Sequence, residues 1–286
     1  MSATLEPFLA VMKSLAGSGS CKTFRFALRN SLRIPLLLFA LVGNADEPVP
    51  TLLAKRGALI VDDDGSLDRI KPKLGVFKNG VQVRAWQGRW NRSEASGAWQ
   101  STWRPGTGHT PVMSFTGFRE TDLIVEVTFR YGNMTQPWQN QCFRIALDDR
   151  PTVTGHLLSA WANRNNDFID TGFLLQHIRK TKEKKILKNL HLDRQPMNVQ
   201  PEKWYTAIVE VVGDEALFRM GDHVAYAKSA EIRAPKNLVS LTLGKTWHEV
   251  KRVRIWQAES NPAWKKQRAV VLESRIDFKS EDRTNQ

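Results

Sequence analysis

The sequence predicts an all-β protein, an antiparallel β-sandwich of the jelly-roll type. Apolar and polar side chains alternate over several runs of seven to nine residues, which is the pattern of strands with one face in a core. Turn signals rich in Gly, Asn, Asp and Pro separate these runs at roughly 10-residue spacing, as is typical of sandwiches. The sequence shows no internal repeat that would indicate a solenoid or a propeller.

Five strands are predicted from residue 122 onward, and the first shows the pattern most clearly. In residues 122–130, Leu123, Val125, Val127 and Phe129 share one face, while Glu126, Thr128 and Arg130 share the other. We expect each strand to be half-buried, with its polar face in solvent. The other strands, with their inward residues, are 141–148 (Phe143, Ile145, Leu147), 205–211 (Ala207, Val209, Val211), 238–244 (Val239, Leu241, Leu243) and 250–256 (Val253, Ile255), and turn signals lie at 131–133, 148–151, 213–214 and 221–222.

Only residues 179–190 look helical, and their apolar side chains are too few to form a stripe. We interpret this segment as a basic loop or one short helix whose charges form a solvated face. The alternative is a lip beside a groove that attracts anions. Its members would be Lys180, Lys182, Lys184, Lys185 and Lys188.

The N-terminal 45 residues have the pattern of a secretory signal peptide with an extended leader. Residues 34–45 form an apolar run that follows three arginines and ends in small residues, so we expect cleavage after Ala45. The run is too short for a bilayer, which needs about 20 apolar residues. We therefore expect an exported protein, periplasmic or extracellular, with no stable membrane span after cleavage.

The remaining chain contains no Pro, Gly or Ser-rich linker, and it fits one large all-β domain. We divide it into a Trp-rich N-terminal part of the sandwich, residues 46–117, and a jelly-roll core, residues 118–260. Residues 261–286 form a basic polar C-terminal tail.

The net charge of +13 favours an anionic partner. For an exported protein this means a polysaccharide or another anionic surface polymer. Nucleic acid is not expected, because no reader motif accompanies the charge.

After signal cleavage Cys142 is the only cysteine, so no intramolecular disulfide can form, and a buried inert thiol is expected. No Cys and His spacing suggests zinc, and we expect neither a metal nor a cofactor.

The order of elements from residue 118 to 258 contains a strand that begins at a Trp, a hairpin with a Gly-Asp turn, a Gly-containing strand and a closing strand. The matching positions are 118–129, Trp204, Val209, Val211, Gly213, Gly221, Asp222, Gly244, Val253, Arg254 and Ile255. This order resembles the concanavalin A-like lectin and glucanase domains, particularly the laminin G-like and keto-disaccharide hydrolase-like branches. The resemblance implies a jelly-roll sandwich and a carbohydrate ligand.

Two catalytic motifs of related enzymes are absent from the sequence. No strand carries the E-x-D-x-E alternation of retaining laminarinase-type glucanases, so a glutamate pair for double displacement is unsupported. Alginate lyases use a Q-x-H strand, whereas Gln176 and His177 are adjacent here and must point to opposite faces of a strand.

Three groups of residues are candidates for recognition. The first is Trp86, Trp90, Trp99 and Trp103, whose rings either stack on sugars or fill the space between two sheets. The second is residues 156–177, where we expect a recognition loop between two strands. The alternative is an Asn and Asp-rich turn, and a calcium site at Asp167 and Asp170 is a minor hypothesis. The loop members are Trp161, Asn163, Arg164, Asn166, Asp167 and Asp170.

The third group is the polar sheet face, where charged rows are expected to meet across one concave groove. The alternative is a solvated face with weak ion pairs. Arginines dominate these rows, which favours the groove, because a guanidinium binds carboxylate or sulfate in a bidentate manner. The rows consist of Glu126, Arg130, Arg144, Asp148, Glu210, Arg252 and Arg254.

The sequence therefore predicts an exported β-sandwich that binds, or also cleaves, an acidic or neutral glycan. The alternative is a non-catalytic structural or adhesion protein of the cell envelope. Catalysis, if present, would pair a titrating His with a carboxylate, in the manner of a glycoside hydrolase or polysaccharide lyase. The catalytic candidates are His156, His177, Asp148 and Glu126, and the ligand-binding candidates are Arg144, Trp161, Asn163, Arg164 and Gln176.

Overall fold

The computed structural model describes residues 47–70, 74–106, 108–150, 155–165, 171–180, 187–279 and 281–284. In these residues two antiparallel sheets pack face to face around one hydrophobic core, which confirms the predicted jelly-roll sandwich. The strands, in chain order, are β1 (Ala54–Asp63), β2 (Gly75–Val76), β3 (Gln82–Trp86), β4 (Arg89–Arg92), β5 (Trp99–Thr102), β6 (Val112–Glu120), β7 (Leu123–Tyr131), β8 (Gln141–Asp148), β9 (Gly155–Asn165), β10 (Gly172–Lys180), β11 (Leu187–Gln195), β12 (Trp204–Val212), β13 (Glu215–Met220), β14 (His223–Lys228), β15 (Lys236–Leu243), β16 (His248–Ser260) and β17 (Glu281–Thr284).

One sheet has eight strands, and seven of them follow the order β14-β13-β12-β7-β16-β5-β4. The long strand β16 also pairs with β1, because its first residues meet β5 and its later residues meet β1 along the same edge. The other sheet has nine strands, in the order β17-β11-β10-β9-β8-β15-β6-β3-β2. The hairpins β12-β13 and β13-β14 turn at Gly213 and Gly221, which both have a positive φ of 57°.

The core lies between the sheets, and it contains every inward residue that alternation predicts for the five strands. Phe129 of β7 and Phe143 of β8 stack across the core with ring centroids 3.7 Å apart. Cys142 points away from the core but is also buried, and burial raises the pKa of its thiol to about 12. This environment fits the expected inert cysteine.

The expectation of half-buried strands is wrong for β7 and β8, which are buried on both faces. On the eight-stranded sheet, residues 49–54 cross the outer face and bury Ile124, Ile208 and Trp256. The helix α1 (Trp264–Val271) packs beside them through Trp264. The predicted polar tail therefore contributes a helix that covers part of this sheet.

The segment 179–190 is neither a loop nor a helix where the structure describes it. Arg179 and Lys180 end β10, and residues 187–190 begin β11. The two strands pair here, so extended backbone pairing overrides the helical propensity of the lysines. Lys182, Lys184 and Lys185 lie outside the described residues. Among the described residues, no helix has the length and apolar character needed to cross a membrane.

Candidate functional site

The outer face of the nine-stranded sheet brings together most of the predicted ligand-binding residues. Phe143 and Ile145 of β8 point into the core, so Arg144 between them points outward. Arg144 pairs directly with Trp161 of β9, and directly paired residues project to the same face of a sheet. Gln176 of β10 pairs with Ser159 of β9 on that face.

These four residues, Arg144, Ser159, Trp161 and Gln176, form what we call the polar cluster. All are buried, with Gln176 0% and Arg144 6% exposed. Five of their polar atoms have no hydrogen-bond partner among the described residues. Such atoms cost about 1–3 kcal/mol each when they remain unpaired, so the cluster is a candidate site for a polar ligand. The atoms are Arg144 Nε, Ser159 Oγ, Trp161 Nε1, Gln176 Nε2 and Gln176 Oε1.

Arg144 is the charged member of the polar cluster. Its Nη2 donates to Thr242 Oγ1 at 2.6 Å, and its guanidinium lies 4.7 Å from the centre of the Trp161 ring. No carboxylate of the described residues lies within 4.0 Å of it. Burial lowers the pKa of this guanidinium to about 10, and Asp148 opposes the shift. A buried cation without a direct counter-ion is costly, and a ligand anion would compensate it.

Asp148 and His156 form a pair beside the polar cluster. His156 Nδ1 contacts Asp148 Oδ2 at 2.8 Å, while Asp148 Oδ1 accepts the Leu157 amide at 3.0 Å. Burial is the main cause that lowers the pKa of His156, the charge of Arg144 adds to it, and the Asp148 hydrogen bond opposes it. His156 is therefore neutral near pH 7, with Nδ1–H directed at Asp148 and Nε2 as an acceptor.

A cleft of about 430 Å³ opens at the end of β9, β10 and β11. Asn163 and Arg164 line it, and Asn163 lies two residues beyond Trp161 on the same face. Arg164 donates to Gln141 Oε1 at 2.5 Å, which holds its guanidinium at the rim. Arg194 lines the opposite wall, so two cations flank the cleft. We call this feature the end cleft.

Two catalytic candidates lie elsewhere. Glu126 is on the outer face of the eight-stranded sheet, where its carboxylate binds Arg254 at 2.9 Å and the Val49 amide at 2.7 Å. These bonds anchor the chain that crosses this face. His177 points to the core side of β10, where Nε2 lies 3.0 Å from Ser229 Oγ. Neither side chain reaches the polar cluster.

The expected single groove of charged rows is wrong, because the rows divide between the two sheets. Arg144 and Asp148 are on the nine-stranded sheet, whereas β7, β12 and β16 belong to the other. There, Arg130 pairs with Glu249 at 2.6 Å and Glu210 with Arg219 at 2.8 Å. These are ion pairs that hold the sheet together. The residues on the eight-stranded sheet are Glu126, Arg130, Glu210, Arg252 and Arg254.

The expected recognition loop between residues 156 and 177 is largely strand. Trp161, Asn163 and Arg164 belong to β9, because the apolar alternation of this strand continues up to its polar end. Asn166, Asp167 and Asp170, and with them the calcium hypothesis, lie outside the described residues. Within the described ranges, no group of three or more His, Cys, Asp or Glu side chains is arranged to hold a metal.

Ser159 and Thr242 are site residues that the sequence analysis missed. Both stand at outward positions of strands whose other faces are apolar, and this alternation is the signal that would have revealed them. Of the four clustered tryptophans, Trp99 is buried in the core and Trp90 packs against it. Trp86 is 38% exposed at the end of β3, on the nine-stranded sheet.

The fold is similar to that of several solved structures. A carbohydrate-binding module from Bacillus subtilis aligns with 10% identity and a TM-score of 0.43, over 61% of this chain and 95% of the module. A Bacillus subtilis protein of unknown function with a galectin-like fold aligns with 11% identity and a TM-score of 0.42, over 73% of this chain and 100% of that protein. A LamA variant from Z. galactanivorans, in complex with laminaritriose and laminaritetraose, aligns with 11% identity and a TM-score of 0.40, over 71% of this chain and 100% of that protein. No protein-family model and no curated protein matches the sequence.

Proposed function

We propose that the protein binds carbohydrate on the outer face of its nine-stranded sheet. The observation that carries this proposal is the polar cluster, with its buried unpaired atoms beside an indole ring. Sugar hydroxyl groups both donate and accept hydrogen bonds, and the apolar face of a sugar ring stacks on an aromatic side chain. A sugar therefore satisfies the cluster, whereas an apolar ligand leaves its polar atoms unpaired.

Two openings flank the buried cluster. His156, with 18% of its side chain exposed, lies at one end, and the end cleft lies beyond Trp161 at the other. The proposal includes export, which rests on the signal-peptide pattern of residues 1–45. It also includes membership of the laminin G-like or keto-disaccharide hydrolase-like branch, which rests on the strand order of residues 118–258.

A glycan array probed with the purified mature chain tests the binding function. We expect selective binding to a subset of acidic or neutral glycans, and loss of that binding in Trp161→Ala and Gln176→Ala. Arg268→Gln is a matched control, because Arg268 also lies over an aromatic ring, that of Tyr226, but on the helix α1. Salt-sensitive attachment to every anionic surface, unaffected by the two cluster variants, would favour the envelope adhesion protein instead.

Glycan cleavage is a second candidate function, and the Asp148–His156 pair is the observation that favours it. A neutral His oriented by a carboxylate is suited to accept a proton in a glycosidase or lyase reaction. Incubation with acidic and neutral polysaccharides, followed by assays for new reducing ends and for unsaturated products, tests it. We expect His156→Gln to abolish turnover and keep glycan binding. If no polymer that the protein binds yields a product, glycan cleavage is excluded and binding remains the proposed function.

A further inference from the structure

Strand pairing brings several connections together at one end of the sandwich. Residues 132–140 join β7 to β8, and residues 244–247 join β15 to β16. Tyr131 at the end of β7 pairs with His248 at the start of β16, so the two connections leave the sheets side by side. The end of β5 pairs with the same part of β16, and residues 103–106 follow it. We call residues 103–106, 132–140 and 244–247 the loop end.

Hydrogen bonds hold the backbone of the loop end together. Thr246 Oγ1 donates to the Asn133 carbonyl at 2.8 Å, which ties two of the connections to each other. Gln139 Oε1 accepts the amides of Thr135 and Gln136 at 2.6 and 3.0 Å, which closes a turn. Because these backbone groups are paired within the protein, the turn loses little when water leaves its surface.

This turn presents apolar side chains to solvent. Met134 is 39% exposed and Trp138 is 43% exposed, and Pro137 between them is exposed as well. Trp103 packs beside Trp138, with ring centroids 5.3 Å apart and an interplanar angle of 53°. Adjacent exposed apolar side chains on a surface rimmed by polar residues indicate a site of interaction.

Positive charge surrounds these apolar side chains. Lys245 Nζ lies 5.5 Å from the centre of the Trp103 ring, and the loop end contains no Asp or Glu. Lys251 Nζ lies 6.0 Å from the Trp204 ring at the start of β12. On and beside the loop end, the described cations Arg104, Lys203, Lys245 and Lys251 outnumber the exposed carboxylates Glu202 and Asp222. The loop end therefore complements an anionic surface.

We propose that the loop end docks on an anionic phospholipid bilayer, with Met134 and Trp138 at the interface and the cations against lipid phosphates. This surface shares no residue with the polar cluster. Tryptophan is enriched at membrane interfaces, because its ring is apolar and its N–H is polar. Anionic head groups attract Lys and Arg that lie near the bilayer. A protein partner fits less well, because lysine is depleted in protein–protein interfaces.

Sedimentation with lipid vesicles tests the proposal. The protein is used from residue 46 onward, because every described strand begins after residue 53 and the apolar run 34–45 would bind vesicles by itself. Vesicles of phosphatidylcholine alone are compared with vesicles that also contain phosphatidylglycerol. We expect binding to the anionic vesicles that falls with added salt, and little binding to phosphatidylcholine alone.

Two variants of the loop end separate its apolar from its charged contribution. Trp138→Ala should weaken binding to the anionic vesicles about three- to tenfold. The double variant Arg104→Gln and Lys245→Gln should weaken it about five- to twentyfold. Both changes affect exposed or half-buried side chains, and circular dichroism checks that each variant keeps the sandwich. The double variant keeps the test decisive if Trp138→Ala does not fold.

Exposed residues of the helix α1 provide the matched controls. Val270→Ala removes an apolar side chain that is 52% exposed, and the double variant Lys265→Gln and Lys266→Gln removes two exposed charges. We expect the controls to bind vesicles within about twofold of the natural chain. An equal loss in loop-end and control variants would overturn the docking surface, as would equal binding to both kinds of vesicle. If no vesicle is bound but Trp138→Ala weakens glycan binding, the loop end belongs to the glycan site and the membrane proposal is wrong.

Discussion

Two buried glutamines show how a structural residue differs from a binding residue in this sandwich. Gln141 donates to the Gly132 carbonyl and accepts from Arg164, so its amide is satisfied. Gln176 is equally buried, but in the part of the chain that the structure describes neither of its amide atoms has a hydrogen-bond partner. An unsatisfied buried amide destabilises the folded state, and natural proteins retain such strain at functional sites.

Replacement of each glutamine by leucine should therefore change stability in opposite directions. We expect Gln176→Leu to raise the free energy of unfolding by about 1–2 kcal/mol, because it removes unpaired polar atoms. Gln141→Leu should lower it by about 1–3 kcal/mol, because it leaves the Gly132 carbonyl and Arg164 without their partner. Urea unfolding followed by fluorescence measures both. Destabilisation of similar size in the two variants would show that Gln176 has protein partners.

A buried histidine predicts how stability depends on pH. Burial lowers the pKa of His248 from 6.5 to about 4, and its Nδ1 contacts the Thr246 carbonyl at 3.0 Å. Because the pKa is lower in the folded than in the unfolded chain, protonation favours unfolding. The contribution is full above pH 6.5 and declines as the pH falls toward 4, by about 3 kcal/mol.

Urea unfolding between pH 7 and 4 measures this decline, with His248→Asn as the comparison. The variant keeps a donor for the Thr246 carbonyl and removes the titrating ring. We expect its stability to decrease less steeply over this range than that of the natural chain. Parallel curves for the two proteins would mean that His248 does not titrate between these values.

The strands are the elements that the sequence predicts best. Residues 141–148 form β8 with the predicted bounds, and all inward residues of the five predicted strands lie in the core. Alternation records burial on one face of a strand, so it predicts local structure well. It does not record which sheet a strand joins, and Glu126 and Arg144 were therefore expected in one groove although β7 and β8 lie in different sheets.

The polar cluster also depends on strand pairing, which the alternation of side chains does not predict. Arg144, Trp161 and Gln176 were named from residue type, but their juxtaposition depends on the pairing of β8, β9 and β10. The alternation of β9 places Ser159 on the outward face, but it does not show that Arg144, Trp161 and Gln176 lie beside it. The polar end of β9 looked like a loop, since Asn and Asp are typical of turns.

Replacement of glycine by alanine should lower the free energy of unfolding by different amounts in two turns between strands. Gly213 has a φ of 57° and open space where a Cβ would stand, so Gly213→Ala should cost about 1 kcal/mol from backbone strain alone. A Cβ at Gly132 would lie 2.3 Å from the Trp247 ring, so Gly132→Ala should cost about 2–3 kcal/mol. Thermal unfolding of the two variants measures which one loses more stability. A larger loss at Gly213 would contradict the close packing of Trp247.

At the scale of the whole molecule, the two outer faces have different roles. Residues 49–54 and the helix α1 cover part of the eight-stranded sheet, and the buried carboxylates of Glu126 and Glu210 there are satisfied by amides and arginines. The nine-stranded sheet carries the polar cluster, the end cleft and Trp86. One face therefore stabilises the fold, and the other is the candidate binding surface.

The net charge of +13 predicts that salt affects binding in two ways. Non-selective attraction of polyanions to the surface should fall strongly between low salt and about 0.15 M, where the Debye length is about 8 Å. Binding at the buried Arg144 is screened less, so selectivity for one acidic oligosaccharide should increase over the same range. Titrations at two salt concentrations measure this. Selectivity that disappears together with affinity would indicate surface attraction alone.

The binding of a glycan on the outer face of the nine-stranded sheet is a claim that a crystal structure of the protein with a bound oligosaccharide would test. The probe is the acidic oligosaccharide that binds best in solution. We predict sugar density across β3, β6, β15, β8, β9 and β10, with an anionic group at Arg144 and hydroxyl groups at Ser159 and Gln176. Density on the outer face of β7, β12 and β16 would contradict the claim.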